Sequence, residues 1–207
     1  MKNIIISKCM NSIRSYNPNY TQKEIDTIKY GLEGLYLTVT KLIIVLLSAL
    51  ILGILKEVIY LVLAFNVIRL FSFGVHAKKS SHCLIASLLF FTLFPLICKY
   101  IIIPVEYKEI LAIPLIILIG IFSPADTEKR PLKNKKKRLI YKLLSIINST
   151  IFMILSIIIK DNIISNIFMF AIIIQIIIIL PLTYKIFGVS YNNYKKYEVK
   201  NLYKGDL

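Results

Sequence analysis

The chain has 207 residues, of which 57% are hydrophobic, and it carries a formal net charge of +15 at pH 7. This apolar content, gathered in long isoleucine-rich runs, exceeds what a soluble core of this length needs to bury, so the composition excludes an ordinary soluble domain. The charge could suit a nucleic-acid ligand, but no soluble module is available to read a groove, and we expect no nucleic-acid partner. The composition predicts an all-α integral membrane protein in which residues 1–207 form a single polytopic domain.

The first part, residues 1–34, is predicted to be a cytoplasmic, interfacial lead-in. Thr21 and Glu24 have the spacing of a capping box, which predicts a helix that begins there. Apolar residues follow at helical spacing and favour an amphipathic helix on the membrane surface, and residues 4–13 indicate a second interfacial segment. The alternative is that both segments simply lead into the first membrane span.

Six apolar stretches follow in residues 35–184, the predicted transmembrane core, and each predicts a membrane-spanning helix. They lie at residues 35–55, 58–75, 83–103, 109–122, 139–159 and 162–184. The fourth stretch is short, because fourteen residues at about 1.5 Å each cover only about 21 Å. This helix is therefore tilted, re-entrant or longer than its apolar residues indicate.

Lysine and arginine gather in alternate connections between these stretches. Residues 1–30, the turn at 78–79, the run at 129–138 and the tail at 185–207 are basic, whereas the other connections balance their charges. Because basic loops of membrane proteins face the cytoplasm, the pattern predicts that both termini are cytoplasmic. The tail is then a cytoplasmic segment, and the basic turn at 78–79 lies on the same side.

The break between the second and third stretches contains the groups best suited to chemistry, His76, His82 and Cys83. A cysteine attacks as its thiolate, and a histidine within hydrogen-bonding distance can take its proton. His82 is poorly placed for this, because neighbours on a helix point about 100° apart. His76 would be about 10 Å from Cys83 on a straight helix, so residues 77–81 must bend back to bring the two spans together.

Two other interpretations of this break stay open. The histidines could be ordinary interfacial residues at a loop. A metal site of two histidines and one cysteine lacks a fourth ligand, so we expect neither a metal nor a cofactor.

Arg69 lies within the second stretch, where a charge is costly and usually faces a polar cavity or partner. Its side chain could stabilise a thiolate at Cys83 or hold a substrate carboxylate, and snorkelling towards the headgroups is the alternative. Cys98 lies in an apolar segment, and Cys9 has no base partner nearby. Neither of these two thiols is the predicted nucleophile.

The remaining polar features are in the fourth loop and the tail. Asp126 could orient a histidine as a third catalytic group, and a helix-capping or turn role is the alternative. The basic run at 129–138 could anchor the loop to anionic headgroups or attract an acidic peptide. The tyrosines near the end are predicted to lie at the membrane interface and imply no chemistry; they are Tyr184, Tyr191, Tyr194, Tyr197 and Tyr203.

Arg69, Gly74, the pair His76-Ala77, Cys83 and the segment 124–127 together resemble the accessory gene regulator B (AgrB) family. The length, the basic loops and the six-span pattern extend the resemblance over nearly the whole chain. One departure is Phe73, which stands where many members carry a second glycine.

The resemblance implies a cysteine endopeptidase of the bacterial cell membrane that processes the AgrD-type precursor of a quorum-sensing peptide. His76 and Cys83 are then catalytic, at the cytoplasmic face, and Arg69, Gly74 and Asp126 support the site or bind substrate. Cys83 would form an acyl-thioester with the precursor, and a cysteine or serine of the peptide would displace it to close a thiolactone or lactone ring. The expected partners are the precursor and anionic membrane lipids, and a homo-oligomer is compatible with them.

A small-peptide exporter or channel is the alternative, in which Arg69 and the polar break would line a path. Such a protein would not need the thiol. A non-catalytic membrane scaffold is a third hypothesis, and it predicts that neither Cys83→Ser nor His76→Ala alters any processed peptide.

Overall fold

The computed structural model describes residues 2–75, 80–128 and 130–197, and the regular elements in those ranges are helices. They are α1 Lys2–Tyr16, α2 Gln22–Ile51, α3 Leu55–Ser72, α4 Ser80–Leu88, a π-helical turn Leu89–Leu93, α5 Phe94–Tyr100, α6 Val105–Phe122, α7 Lys135–Ile158, α8 Asn162–Ile179 and α9 Pro181–Ile186. The all-α prediction is confirmed. The chain divides into two compact units, residues 1–47 and residues 48–207.

The first unit contains α1 and most of α2. The Thr21 backbone N–H donates to Glu24 Oε2 at 2.8 Å, and the Glu24 N–H donates to Thr21 Oγ1 at 3.4 Å. This reciprocal pairing satisfies two backbone donors at the start of α2, so the predicted capping box is confirmed. The helix then runs unbroken to Ile51, which joins the predicted lead-in helix and the first apolar stretch into one element.

Four helices in the described ranges are long and apolar enough to cross a membrane. They are α2, α7, α8 and the continuous stretch Ser81–Tyr100. This stretch is formed by α4, the π-helical turn and α5. The other two predicted spans coincide with α3 and α6, each of which carries three charged residues. At 18 residues, α6 is longer than the apolar stretch from which it was predicted.

The second unit is built around α8, which packs against α3, α5, α6 and α7. Its isoleucines supply six of the seventeen buried core residues in the described ranges, and Ile167, Ile172 and Ile179 are fully buried. The outer helices expose large apolar side chains instead, as Ile113 of α6 and Ile151 of α7 illustrate. An apolar interior enclosed by an apolar surface suits a protein surrounded by lipid.

Small polar residues let the helices of this unit approach one another. Ser145, Ser149 and Ser156 lie buried along one side of α7, where they leave room for close helix packing. At one end of the bundle, buried Lys108 of α6 donates to the Ser165 hydroxyl of α8, and Asn166 Nδ2 donates to the Ile101 carbonyl at 2.8 Å. The opposite end, where α3, α6 and α8 finish, holds the predicted site.

Candidate functional site

The segment that follows α3 is held on both sides by backbone hydrogen bonds. The Gly74 N–H donates to the Ala125 carbonyl, and the Ala125 N–H donates to the Ser72 carbonyl, both at 3.0 Å. On the other side, the Val75 N–H donates to the Ile178 carbonyl at 3.0 Å. The chain entering the predicted catalytic break is thus fixed between the loop after α6 and the end of α8.

Two successive residues of this segment have backbone conformations that favour glycine. Phe73 has φ +56° and Gly74 has φ +130°. A side chain at such an angle is strained, so the backbone at Phe73 favours glycine. Here the Phe73 ring packs edge-on against Tyr141 with 5.3 Å between centroids, and Gln175 Nε2 donates to the Phe73 carbonyl at 2.8 Å. These contacts offset the strain.

Arg69 connects this segment with the predicted nucleophile. Its Nη2 donates to the Val75 carbonyl at 3.1 Å, and its guanidinium lies 5.5 Å from the centre of the Phe65 ring. It also lies close enough to Cys83 for the two side chains to interact electrostatically. Internal contacts therefore hold this arginine, as expected of a functional charge in a span.

Cys83 lies in α4 with a half-buried, free thiol. The neighbouring His82 side chain is exposed, so the two residues have different environments. Of the other thiols, Cys98 is buried in the core and Cys9 is exposed. His76 and residues 77–79 lie outside the described residues, so the bend through 77–81 and the pairing of His76 with Cys83 stay predictions.

Gly74 packs closely against the end of α8 and against the side chain of Arg69. A Cβ atom placed on it would lie 3.3 Å from the Ile178 carbonyl oxygen and 3.5 Å from Arg69 Nη1. The first of these atoms is backbone and already accepts a hydrogen bond from Val75, so it cannot move freely. The position therefore requires glycine for its φ angle and for its lack of a side chain.

We expect Gly74→Ala to lower the free energy of unfolding by about 2 kcal/mol, because the added methyl group is strained and crowded. Gly53→Ala is the matched control, since Gly53 has φ +66° but no atom of the described residues lies within 4 Å of a Cβ atom placed on it. We expect the control to cost about 1 kcal/mol, from backbone strain alone. Unfolding of both variants in detergent micelles by added dodecyl sulfate measures the difference, and equal losses would contradict the packing argument.

Asp126 is buried and accepts three backbone hydrogen bonds. Oδ1 accepts from the Asn193 N–H at 2.9 Å, and Oδ2 accepts from the Leu132 N–H at 3.2 Å and the Tyr194 N–H at 2.9 Å. Burial raises the pKa of the Asp126 carboxyl above its ordinary value, and the three donors act in the opposite direction. These contacts tie the loop after α6 to the C-terminal segment, as a turn-stabilising residue would.

Tyr184 is buried against the loop after α6, whereas the sequence predicts a tyrosine exposed at the membrane interface. It is 1% exposed, and its hydroxyl donates to the carbonyls of Ala125 at 2.9 Å and Asp126 at 3.1 Å. Sequence reasoning also missed Gln175, the one polar side chain in the second half of α8. An amide isolated in an isoleucine run is costly in a membrane, and that signal could have identified it.

The fold and the site define the class of this protein as an α-helical membrane protein, with an arginine and a free thiol close together at one end of its bundle. In the described ranges, no three His, Cys, Asp or Glu side chains could jointly hold a metal ion. The family model described as Accessory gene regulator B matches residues 6–179, and the chain belongs to that family. The predicted family is therefore confirmed.

Two relatives show how far the similarity extends. A protein of Clostridium acetobutylicum named as AgrB-like is 32% identical over 179 residues, which is 84% of each chain. One from Listeria monocytogenes serotype 4a, with the same name, is 34% identical over 173 residues, covering 83% of this chain and 84% of its own. No solved structure matches the chain. Membership supports a role in the Agr quorum-sensing system, and implies association with an AgrD-type precursor and a membrane.

Proposed function

We propose that the chain is a membrane-embedded cysteine endopeptidase that cleaves an AgrD-type precursor at the cytoplasmic face of a bacterial membrane. The observation that carries the proposal is the position of Arg69. It bonds to the carbonyl of Val75, the residue just before His76, and it interacts electrostatically with Cys83. One cation thus holds the residue that precedes the predicted base and lies near the predicted nucleophile.

The proposed topology has six spans, which places both termini on one side. Beyond the four helices that are apolar enough, α3 and α6 cross as well. Five of their six charged residues lie at the starts of the two helices, at a membrane boundary. Lys108, one of these five, and Arg69, near the end of α3, make internal contacts. The basic loops favour a cytoplasmic position for the termini and Cys83, where a thiol stays reduced.

In the first chemical step, His76 accepts the proton of the Cys83 thiol, and the thiolate attacks the peptide carbonyl before the C-terminal segment of the precursor. His76 then gives the proton to the leaving amine as the C–N bond breaks. The precursor's N-terminal part is left on Cys83 as an acyl-thioester.

In the second step, a thiol or hydroxyl group within that acyl part attacks the thioester carbonyl. Its proton passes through His76 to the sulfur of Cys83 as the enzyme's C–S bond breaks. The products are a thiolactone or lactone ring and the original thiol. Hydrolysis would waste the activated acyl group, and a site at the membrane boundary limits the access of water.

The membrane also helps to collect the substrate. An amphipathic segment of the precursor in the same membrane plane raises its effective concentration near Cys83. The basic loops then attract an acidic C-terminal segment and anionic headgroups. Asp126 and Gly74 support the site through the loop after α6.

Trapping the acyl-enzyme tests the proposal. The full-length protein in phospholipid vesicles is given a precursor whose ring-closing cysteine or serine is replaced by alanine, so the second step cannot occur. We expect a covalent complex, detected by mass spectrometry, that maps to Cys83 and is released by hydroxylamine. Cleavage without such an adduct, or an adduct on Cys98, would refute the mechanism, and uncleaved precursor on the far side of the vesicles would favour the exporter.

A further inference from the structure

A cavity of about 340 Å³ lies between the end of α6, the start of α7 and residues 191–194. Three cations line it, Lys135, Arg138 and Lys142. They are three and four residues apart, so they share one face of α7. No carboxylate belongs to the cavity lining in the part of the chain that the structure describes.

The first turn of α7 is electrostatically unfavourable without an anion. Residues 135–138 are four consecutive cations, and the first turn of this helix contains no acidic residue. The N-terminus of a helix carries partial positive charge, so cations there are destabilising and a bound anion is stabilising. Among the described residues, no carboxylate forms an ion pair with Lys135 or Lys142.

The cavity wall also contains a buried hydroxyl group, that of Ser123. Ser123 is 4% exposed, and its Oγ is buried without a hydrogen bond in the described part of the chain. A buried polar group usually has a partner, so this hydroxyl indicates a ligand that accepts a hydrogen bond. Tyr191 lines the same cavity, and burial raises the pKa of its phenol, which therefore stays a donor.

The position of the cavity indicates the source of the anion. Lys135 is the first residue of α7, one of the four helices able to cross a membrane, so the cavity lies at the level where headgroups begin. Ile121 and Leu139 line it too, and both are more than half exposed on the outer apolar surface. A ligand with an anionic head and an apolar tail fits both kinds of lining.

We propose that this cavity binds the phosphate of an anionic phospholipid, with Lys135, Arg138 and Lys142 as charge partners and Ser123 as a hydrogen-bond donor. Its volume is at the lower end of the range for small-molecule sites, which suits a phosphate and its glycerol. An acidic peptide would satisfy the cations but would not use the apolar wall.

Lipid bound in this cavity would also affect the predicted catalytic segment. Ser123 and Pro124 form part of the cavity wall, and the next residue, Ala125, is hydrogen-bonded to Gly74. Tyr141, which packs against Phe73, adjoins Lys142 on α7. A bound headgroup therefore stabilises the loop that supports the predicted catalytic segment. This effect on activity rests on the proposed function, whereas binding itself does not.

Titration calorimetry with the full-length protein in detergent tests the site with three probes, dihexanoyl phosphatidylglycerol, dihexanoyl phosphatidylcholine and inorganic phosphate. We expect one molecule of phosphatidylglycerol to bind at least tenfold more tightly than either other probe. Tight binding of inorganic phosphate alone would refute the lipid as the source. Equal affinity for the two lipids would also overturn the proposal.

The double variant Lys135→Gln, Lys142→Gln should weaken phosphatidylglycerol binding at least tenfold. Its control is Lys136→Gln, Lys137→Gln, which removes the same charge from the same helix end but does not touch the cavity; we expect less than a twofold change. If both double variants lose the same affinity for phosphatidylglycerol, the lipid is attracted by the overall charge of the helix end and does not bind in the cavity. A glutamate-rich peptide is the competing ligand. If it binds more tightly than the lipid, and if the double variant Lys135→Gln, Lys142→Gln abolishes this binding, the cavity is a peptide site.

Precursor cleavage is measured on the same samples so that the two proposals can fail separately. If the lipid does not bind and cleavage persists, the cavity proposal alone is refuted. If the lipid binds and no precursor is cleaved, the peptidase proposal alone is refuted.

Discussion

Cys83→Ser is expected to lower precursor cleavage at least a thousandfold, a loss of about 4 kcal/mol of transition-state stabilisation. A serine hydroxyl fits the space of the thiol, but at neutral pH it is a far weaker nucleophile with the same histidine as base. Mass spectrometry of peptides from cells that coexpress the precursor measures the loss. His76→Ala should have a comparable effect, because the proton of Cys83 would lack an acceptor.

The other two thiols provide the controls. Cys9 is exposed and Cys98 is buried in the core, so Cys9→Ser and Cys98→Ser remove a thiol of each kind away from the site. Both should keep cleavage within about threefold of the parent protein once the amount in the membrane is equalised. If Cys83→Ser still cleaves the precursor while Cys98→Ser does not, the nucleophile is Cys98 and the proposed site is wrong.

Arg69→Gln is expected to lower cleavage about a hundredfold. The variant loses the hydrogen bond to the Val75 carbonyl and the positive charge near Cys83, so it affects both the segment before His76 and the thiol. Arg69→Lys keeps the positive charge but lacks the planar guanidinium, so its precursor cleavage should be about tenfold higher than that of Arg69→Gln. Alkylation of Cys83 by iodoacetamide at neutral pH should slow in Arg69→Gln and recover in Arg69→Lys.

The alkylation rate separates a positioning role from a structural one, because a merely loosened bundle would expose the thiol and speed its alkylation. Arg130→Gln is the matched control, since Arg130 is exposed in the loop after α6. It should change neither cleavage nor alkylation. Faster alkylation in Arg69→Gln, or an equal loss of cleavage in Arg130→Gln, would contradict the role given to Arg69.

Features whose partners are close in sequence could be predicted. The capping box of Thr21 and Glu24 needs only four consecutive residues, and it forms as expected. Arg69 and Gly74 were identified as a motif, and the structure places them in contact because they lie on either side of the end of α3. Local spacing was sufficient information in both cases.

Features that depend on distant partners could not be predicted. The apolar residues predict too short a helix for α6, because hydropathy assigns Lys108 and its acidic neighbours to a loop. In the structure Lys108 is buried against Ser165, 57 positions further along the chain. Tyr184 was assigned to the interface for the same reason, since its acceptors lie in the loop after α6. Hydropathy assigns a cost to a polar group but cannot show the partner that offsets it.

The strained segment at Phe73 and Gly74 is completed by residues that the ribosome makes late. Gln175, which bonds to the Phe73 carbonyl, lies 102 positions further on, and the acceptor for Val75 belongs to the same helix, α8. During translation the nascent chain therefore has its thiol and imidazole long before it has α8. Under the proposed function the peptidase is silent throughout its own biogenesis, and chains released early from the ribosome are inert.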